Sequence, residues 1–267
     1  MLPLAAVLGL TIAKSVVAIP PIKTEVRTIA GVSVHVVRVG LDSDSVLVQP
    51  VLPQGGIGTS ESLASLAGRG AKVALTGAFF DTRSLLPMGD IVIAGRLVHF
   101  GGRGAALCLR HAKEGEGWTA SIRSNAGTDR HTDWGKSEIV LAGGIRLLSE
   151  GQVVVAPQKQ GFSPLLEKPN PRVAVGITTS GNLILAATKT PVTLTQWARM
   201  LKAVGAVDAL NYDGGSSAGL YVDGKALVAP GRKLTNALAV YVASPESPSR
   251  KVIALASRKG KRGARRT

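Results

Sequence analysis

The sequence predicts an α+β fold: a mainly antiparallel or mixed β-sheet with a few packed helices, in a single domain. Three observations carry this expectation. X-Gly pairs recur between short apolar runs, at Ala94-Gly95, Glu150-Gly151, Ser180-Gly181 and Asp223-Gly224. Such two-residue turns match the right-handed twist of paired antiparallel strands, and Asp-Gly is the strongest signal of the four. Aromatics make up only 4% of the 267 residues while glycines number 32, a balance that favours strands and turns. Two stretches carry helical periodicity with capping residues, one near Ser60 and one after Thr193.

The elements follow in order. Leu2 to Ala13 is an apolar run of twelve, too short to span a bilayer as a helix. Lys14 interrupts it, and Val16-Val17-Ala18 offers small residues where a signal peptidase reads them, although no basic residue precedes the run. Residues 1–18 are therefore expected to be a signal peptide, with the mature chain starting near Ile19 and exported to the periplasm or beyond, without a transmembrane span. Val32-Ser33-Val34-His35-Val36 alternates strictly and predicts a half-buried strand with His35 on its solvent side. After a turn at Asp42–Ser45, Val46 to Val48 predicts another strand, and Gly55 to Gly58 a loop. Ser60 to Ala67 predicts a short helix stopped by Gly68. Lys72 to Thr76 predicts a strand that runs into Gly77-Ala78-Phe79-Phe80-Asp81.

Residues 111–135 are polar and glycine-spaced, with His111 and His131, and predict a variable loop with some strand content. Pro157 to Pro171 predicts a second long loop that leads straight into Arg172 and so can frame a site. Thr193 with Gln196 fits a capping box; Leu194, Trp197, Leu201 and Val204 share one helical face; Gly205 stands where the C-terminal cap belongs. An apolar run then ends in Asn211-Tyr212-Asp213-Gly214-Gly215-Ser216-Ser217. Helix, glycine, strand and Asp-bearing turn thus occur twice, closing on Asp81 and on Asp213, though the spacings differ. Pro245 and Pro248 mark the end of a domain placed at residues 19–245. Beyond it, Ser249 to Thr267 holds eight of the fifteen net positive charges and no acid. So basic and apolar-poor a tail is expected to be disordered and able to touch anionic polymer, with no specific nucleic acid as partner.

The single cysteine, Cys108, excludes a disulfide framework and a multi-cysteine zinc site, and between Leu107 and Leu109 it is expected as a small buried hydrophobe. His35, His99, His111 and His131 show no ligand spacing, the Asn211–Ser217 turn lacks the acidic density of a calcium loop, and no glycine-rich nucleotide loop appears. No metal and no cofactor are therefore expected. Gly215-Ser216-Ser217-Ala218-Gly219 satisfies the G-x-S-x-G pattern, but the elbow needs a helix after the serine and a later histidine. Leu220-Tyr221-Val222 instead predicts a strand, and no histidine follows His131.

Four blocks, in order, carry a family resemblance. Val207 to Ser217 is similar to the signature of the phosphodiester glycosidase family, whose pattern runs roughly Asn-Leu-Asp-Gly-Gly-Gly-Ser. Here Ser216 stands in place of the third glycine, which the turn tolerates if φ there is negative. Gly77-Ala78-Phe79-Phe80-Asp81 with Pro87 and Gly89, Pro171-Arg172-Val173-Ala174-Val175-Gly176, and Arg232 with Asn236-Ala237-Leu238 resemble its other three blocks. The resemblance covers about residues 70 to 243. It implies a hydrolase that cleaves a glycosyl–phosphate diester in envelope or extracellular polysaccharide; the alternative is a non-catalytic envelope module that binds anionic glycan, and a nucleic-acid-binding protein would rest on net charge alone.

In a sugar phosphodiester the leaving group is a phosphomonoester that needs little help from an acid. The site needs a cation for the phosphate and a carboxylate that steadies charge at the anomeric carbon or activates water. Asp213, then Asp81, are the candidate carboxylates, and Arg172 is the candidate bidentate grip on phosphate oxygens. Asn211, Ser216, Ser217, Arg232 and Asn236 are candidate sugar or phosphate contacts, with Asn236 alternatively holding the Asp213 turn. Gly77, Gly214 and Gly215 are expected to supply geometry.

Overall fold

The computed structural model describes residues 21–112, 116–124 and 134–243; the expected signal segment, the basic tail and His131 lie outside the described residues. The strands in chain order are β1 (Ile22–Ile29), β2 (Val32–Val39) and β3 (Val46–Val51), then helix α1 (Leu63–Ala67) and β4 (Val73–Thr76). Next come β5 (Ile91–Ile93), β6 (Arg96–His99), β7 (Ala105–His111), β8 (Trp118–Ser124), β9 (Ile139–Ser149), β10 (Gln152–Val153), β11 (Asn170–Thr178) and β12 (Leu183–Val192). Helix α2 (Leu194–Ala203) precedes β13 (Ala206–Asn211), β14 (Leu220–Val222), β15 (Lys225–Val228) and β16 (Ala237–Val242).

The strands form two sheets. The larger, of eleven strands, runs β1-β2-β12-β11-β13-β9-β5-β6, with β10 and β7–β8 attached at β9; the smaller runs β15-β14-β4-β16-β3. Every strand pairing among the described residues is antiparallel, so the mixed-sheet option gives way to a predominantly β domain. Hairpin chemistry explains the register. Ala94-Gly95, Glu150-Gly151 and Asp223-Gly224 all have positive φ at both residues, the twist-matched two-residue turn. Ala30-Gly31 does the same between β1 and β2, a fifth X-Gly pair beside the four singled out in the sequence. At Ser180-Gly181 only the glycine is left-handed, within a wider turn closed by Thr178 and Asn182.

Alternation along the strands sorts the core into layers. Val173 and Val175 of β11, Leu183 and Leu185 of β12, and Leu141 of β9 meet Leu47, Val73, Leu75, Leu220 and Val240 of the smaller sheet in one cluster between the sheets. The intervening Ala174, Ile184, Ala186 and Ala209 face outward onto Leu194, Trp197, Ala198 and Leu201 of α2. On the far side, Ala74, Ala237 and Ala239 receive Leu63, Leu66 and Ala67 of α1. Small outward residues let each helix approach its sheet closely. The order is helix, sheet, sheet, helix, and the shared middle cluster makes it one domain.

Some local expectations shift. Helix α1 starts at Leu63, three residues later than expected, because Ser62 is the N-cap and accepts from the Ser65 N–H. The α2 capping box forms as expected, with Thr193 and Gln196 each bonding the other's backbone. Cys108 is buried, and burial pushes its thiol up to about 11. His35 is not on a solvent face: it is half-buried, burial lowers its pKa, and its Nδ1 lacks a partner in the described structure. Strand alternation continues through Val37 and Val39 into the inter-sheet core, so the polar-face expectation for His35 held only for an isolated strand. Within 111–135, β8 pairs fully with β7, and Trp118 roofs the core with its Nε1 on the Val46 carbonyl. The 157–171 stretch folds into two 3-10 turns, at Gln158–Gln160 and Pro164–Glu167.

Two crossovers between the sheets define one end of the sandwich. The chain leaves β4 of the smaller sheet through residues 77–90 to reach β5 of the larger. It leaves β13 of the larger sheet through 212–219 to reach β14 of the smaller. These are the two Asp-bearing turns, one carried by each sheet.

Candidate active site

The two crossovers are tied together at their first residues. The Asp213 N–H donates to the Gly77 carbonyl at 3.0 Å, and the Tyr212 N–H to the Val173 carbonyl at 3.1 Å. Tyr212 is fully buried and donates its hydroxyl to the Leu141 carbonyl at 2.7 Å, which locks the residue before the carboxylate. Asn236 fixes the other side. Its Oδ1 accepts from the Ala78 N–H at 2.7 Å, while its Nδ2 donates to the Ala78 carbonyl at 3.2 Å and the Thr235 hydroxyl at 3.0 Å. A Cβ on Gly77 would run into the Asn236 amide, so the close approach requires glycine.

The turn after Asp213 is a 3-10 element over Gly215–Ser217. Gly215 has φ of 58°, and a Cβ on Gly214 would lie 2.6 Å from the Pro171 carbonyl oxygen. Ser216 is not among the residues with positive φ, so a side chain in place of the family's third glycine fits the backbone. Its carbonyl accepts from the Gly231 N–H at 2.8 Å. Ser217 is buried, and its carbonyl accepts from the Thr76 hydroxyl at 2.6 Å.

The residue Asp213 is half-buried, and burial raises its carboxyl pKa from 3.8 to about 6. Three groups oppose that rise: the Ser217 hydroxyl, the Arg232 charge and the Gly214 N–H. The Arg232 guanidinium lies 4.6 Å over the Phe80 ring, a cation–π seat on the residue just before Asp81. A carboxyl raised toward neutrality within reach of a guanidinium's charge suits acid–base chemistry on an anionic substrate.

The remaining candidates separate by position. Register continues Ala174↔Asn211 of the β11–β13 pair to place Arg172 opposite Asp213. The Arg172 side chain, however, is 1% exposed: Nε donates to the Val192 carbonyl at 3.0 Å, and Nη2 to the carbonyls of Leu166 and Lys168 at 2.8 and 2.6 Å. Burial draws its pKa down to about 10. Those three bonds pin the 157–171 stretch and the start of α2. Asp81 is exposed, and its Oδ1 accepts from the Arg83 and Ser84 N–H groups at 3.0 and 2.7 Å and from the Ser84 hydroxyl at 2.9 Å. The Ser84 N–H leads the groups that hold its carboxyl below the usual range. These bonds, with Leu85 N–H on the Asp81 carbonyl at 2.8 Å, hold Leu85 at φ of 58°. Asn211 is fully buried; its Nδ2 donates to the Tyr212 carbonyl at 2.6 Å and its Oδ1 lacks a partner.

The structure thus gathers Asp213, Gly214, Gly215, Ser216 and Arg232 where they are at least partly open, and places Gly77, Arg172, Asn211, Ser217 and Asn236 beneath them. Two residues outside the sequence-derived set join the site: Asn170 in its partly open layer and Phe80, buried, beneath Arg232. Phe80 carries Arg232, and Asn170 has its Oδ1 3.6 Å from where a Gly215 Cβ would be. Asn170 sits directly before the Pro171-Arg172 block, its one sequence signal; the Phe80–Arg232 contact joins positions 152 apart and has none. Among the described residues no group of three or more His, Cys, Asp or Glu is placed to hold a metal ion.

The family model for phosphodiester glycosidases matches residues 69–241. The fold is similar to that of a hypothetical protein from Synechocystis (TM-score 0.63, 18% identity), covering 85% of this chain and 64% of that one, so the chain spans just under two thirds of that relative. It is also similar to the catalytic domain of zebrafish N-acetylglucosamine-1-phosphodiester alpha-N-acetylglucosaminidase, auto-inhibited by its pro-peptide (TM-score 0.67, 22% identity, 85% of each chain). No curated protein sequence matches.

Proposed function

The chain belongs to the phosphodiester glycosidase family, and from that premise we propose that it hydrolyses a glycosyl–phosphate diester in envelope or extracellular polysaccharide. The observation that carries this reading is the half-buried Asp213, raised by burial to about 6, whose carboxyl feels the charge of an Arg232 seated on the Phe80 ring. Arg232 neutralises the phosphate as the anomeric C–O bond breaks and the phosphomonoester departs. Asp213, ionised, steadies the positive charge growing at the anomeric carbon or takes a proton from the attacking water. The open hydroxyl of Ser216 and the Asn170 amide are the sugar and phosphate contacts. Arg172 acts from below as a positioning residue, holding Asn170 and Pro171 against the Asp213 turn. Asp81 shapes the 81–88 turn beside Phe80.

Export fits such a substrate, with the mature chain beginning near Ile19 and the basic tail in contact with anionic polymer. Among the described residues no helix is long and apolar enough to cross a membrane. The test is a panel of sugar 1-phosphodiesters with the purified mature chain, following both free sugar and phosphomonoester. Paired release of the two supports the hydrolase. Binding across the panel without release favours the second reading, a module that holds anionic glycan in the same turn.

A further inference from the structure

We propose that the chain forms a two-fold dimer in solution by pairing β1 with β1 of a second copy, centred on Val26; this goes beyond the hydrolase reading and does not depend on it. β1 is a terminal strand of the larger sheet and pairs on one side only, with β2. An open edge invites another strand unless something blunts it. Three of the four strands that end the two sheet paths are blunted. β6 and β15 are each four residues long with a bulge in their pairing, and β3 carries Pro50. β1 runs eight residues with no proline and no break in register. Val26, near its middle, is 57% exposed.

The hairpin decides which backbone groups the open edge offers. Ala30-Gly31, with positive φ at both positions, makes Ile29 and Val32 a hydrogen-bonded pair. Alternation then turns the N–H and C=O groups of Arg27, Glu25 and Lys23 toward β2. At the far end the Gly40 N–H donates to the Pro21 carbonyl at 2.8 Å, in the same phase. Ile22, Thr24, Val26 and Thr28 therefore direct their backbone groups outward, where no described strand meets them.

Charge selects a second copy as the occupant and fixes its register. In an antiparallel self-pairing, an axis at Glu25 sets that residue against its own copy and Lys23 against Arg27, and an axis at Arg27 sets two guanidinium groups face to face. Like charges directly opposite oppose pairing. Axes at Thr24 or Thr28 shorten the overlap. An axis at Val26 sets Glu25 opposite the partner's Arg27, twice by symmetry, and Thr24 opposite the partner's Thr28, while the outward backbone groups of both copies meet. Glu25 is already oriented by Arg38, whose Nε donates to its Oε1 at 3.0 Å. Arg27 is exposed and makes no ion pair among the described residues. The partner's Arg27 therefore gives Glu25 a second guanidinium on the side away from Arg38.

The experiment is sedimentation velocity on the mature chain, over a concentration series reaching about 300 μM because an edge-to-edge contact is small. A reversible dimer is expected. Glu25→Arg and Arg27→Glu should each weaken it at least about tenfold. An equimolar mixture of the two variants should recover it as a heterodimer, since each copy then meets opposite charge at both positions. Val26→Pro keeps the β1–β2 bonds, because the Val26 N–H points outward, and should give a monomer with the wild-type circular dichroism spectrum. A wild-type chain that stays monomeric throughout overturns the proposal. So does a dimer indifferent to Arg27→Glu or to Val26→Pro, or a mixture no more associated than its two components.

Discussion

A carboxyl that titrates near 6 is held by the fold at a cost. Asp213 has an ordinary value of 3.8 and is raised to about 6 by burial. Between those values the folded chain binds more protons than the unfolded one, so stability falls as pH rises through that window and the full cost is present above about 6. Asp213→Asn removes the charge and keeps an acceptor for Ser217. It should raise stability at pH 7.5 by about 1–3 kcal/mol, allowing for screening at a half-buried group, and change little at pH 3.5; denaturant titrations at the two pH values check this. Arg232 works in the opposite sense by favouring the ionised form. Arg232→Gln should therefore move the acid limb of kcat/KM to higher pH as well as lowering the plateau, whereas a purely structural role would lower the plateau without moving the limb.

The elements show what local chemistry settles and what it leaves to the fold. Turns at Ala94-Gly95, Glu150-Gly151 and Asp223-Gly224 were legible because a two-residue connection needs positive φ at both positions and the glycine advertises it. Helix α2 was legible because its cap is written in four consecutive residues. The role of Arg172 was not legible. Its partners are three carbonyls, of Leu166, Lys168 and Val192, and carbonyls carry no residue identity. Asn236, expected as a sugar or phosphate contact or as a holder of the Asp213 turn, instead bonds Ala78 of the other crossover and the Thr235 hydroxyl, partners that no local pattern announces. The crossover that this amide clamps leads to an element-scale test. Gly77→Ala drives a Cβ into Asn236, and should cost about 1–3 kcal/mol by overpacking. Because the Gly77 carbonyl holds the Asp213 N–H, it should also lower kcat in the molecules that remain folded. Thermal unfolding measured beside initial rates separates the two effects.

At the scale of the molecule, the site exists because two sheets exchange chain at one end. Helix α1 with β4, and helix α2 with β13, deliver Asp81 and Asp213 from opposite sheets. The repeated order of helix, glycine, strand and Asp-bearing turn was visible in the sequence, but that the two turns meet was not, since pairing between sheets leaves no periodicity. Phe80 and Arg232 meet for the same topological reason, and the Arg232 charge reaches the Asp213 carboxyl. The most direct test is the pH dependence of kcat/KM for a glycosyl phosphodiester, measured on the wild-type chain and on Asp213→Asn. The wild type should show an acid limb near pH 6, and Asp213→Asn should lose that limb together with at least about a hundredfold of rate while staying folded. A folded Asp213→Asn protein with the wild-type rate and the same limb would contradict the assignment.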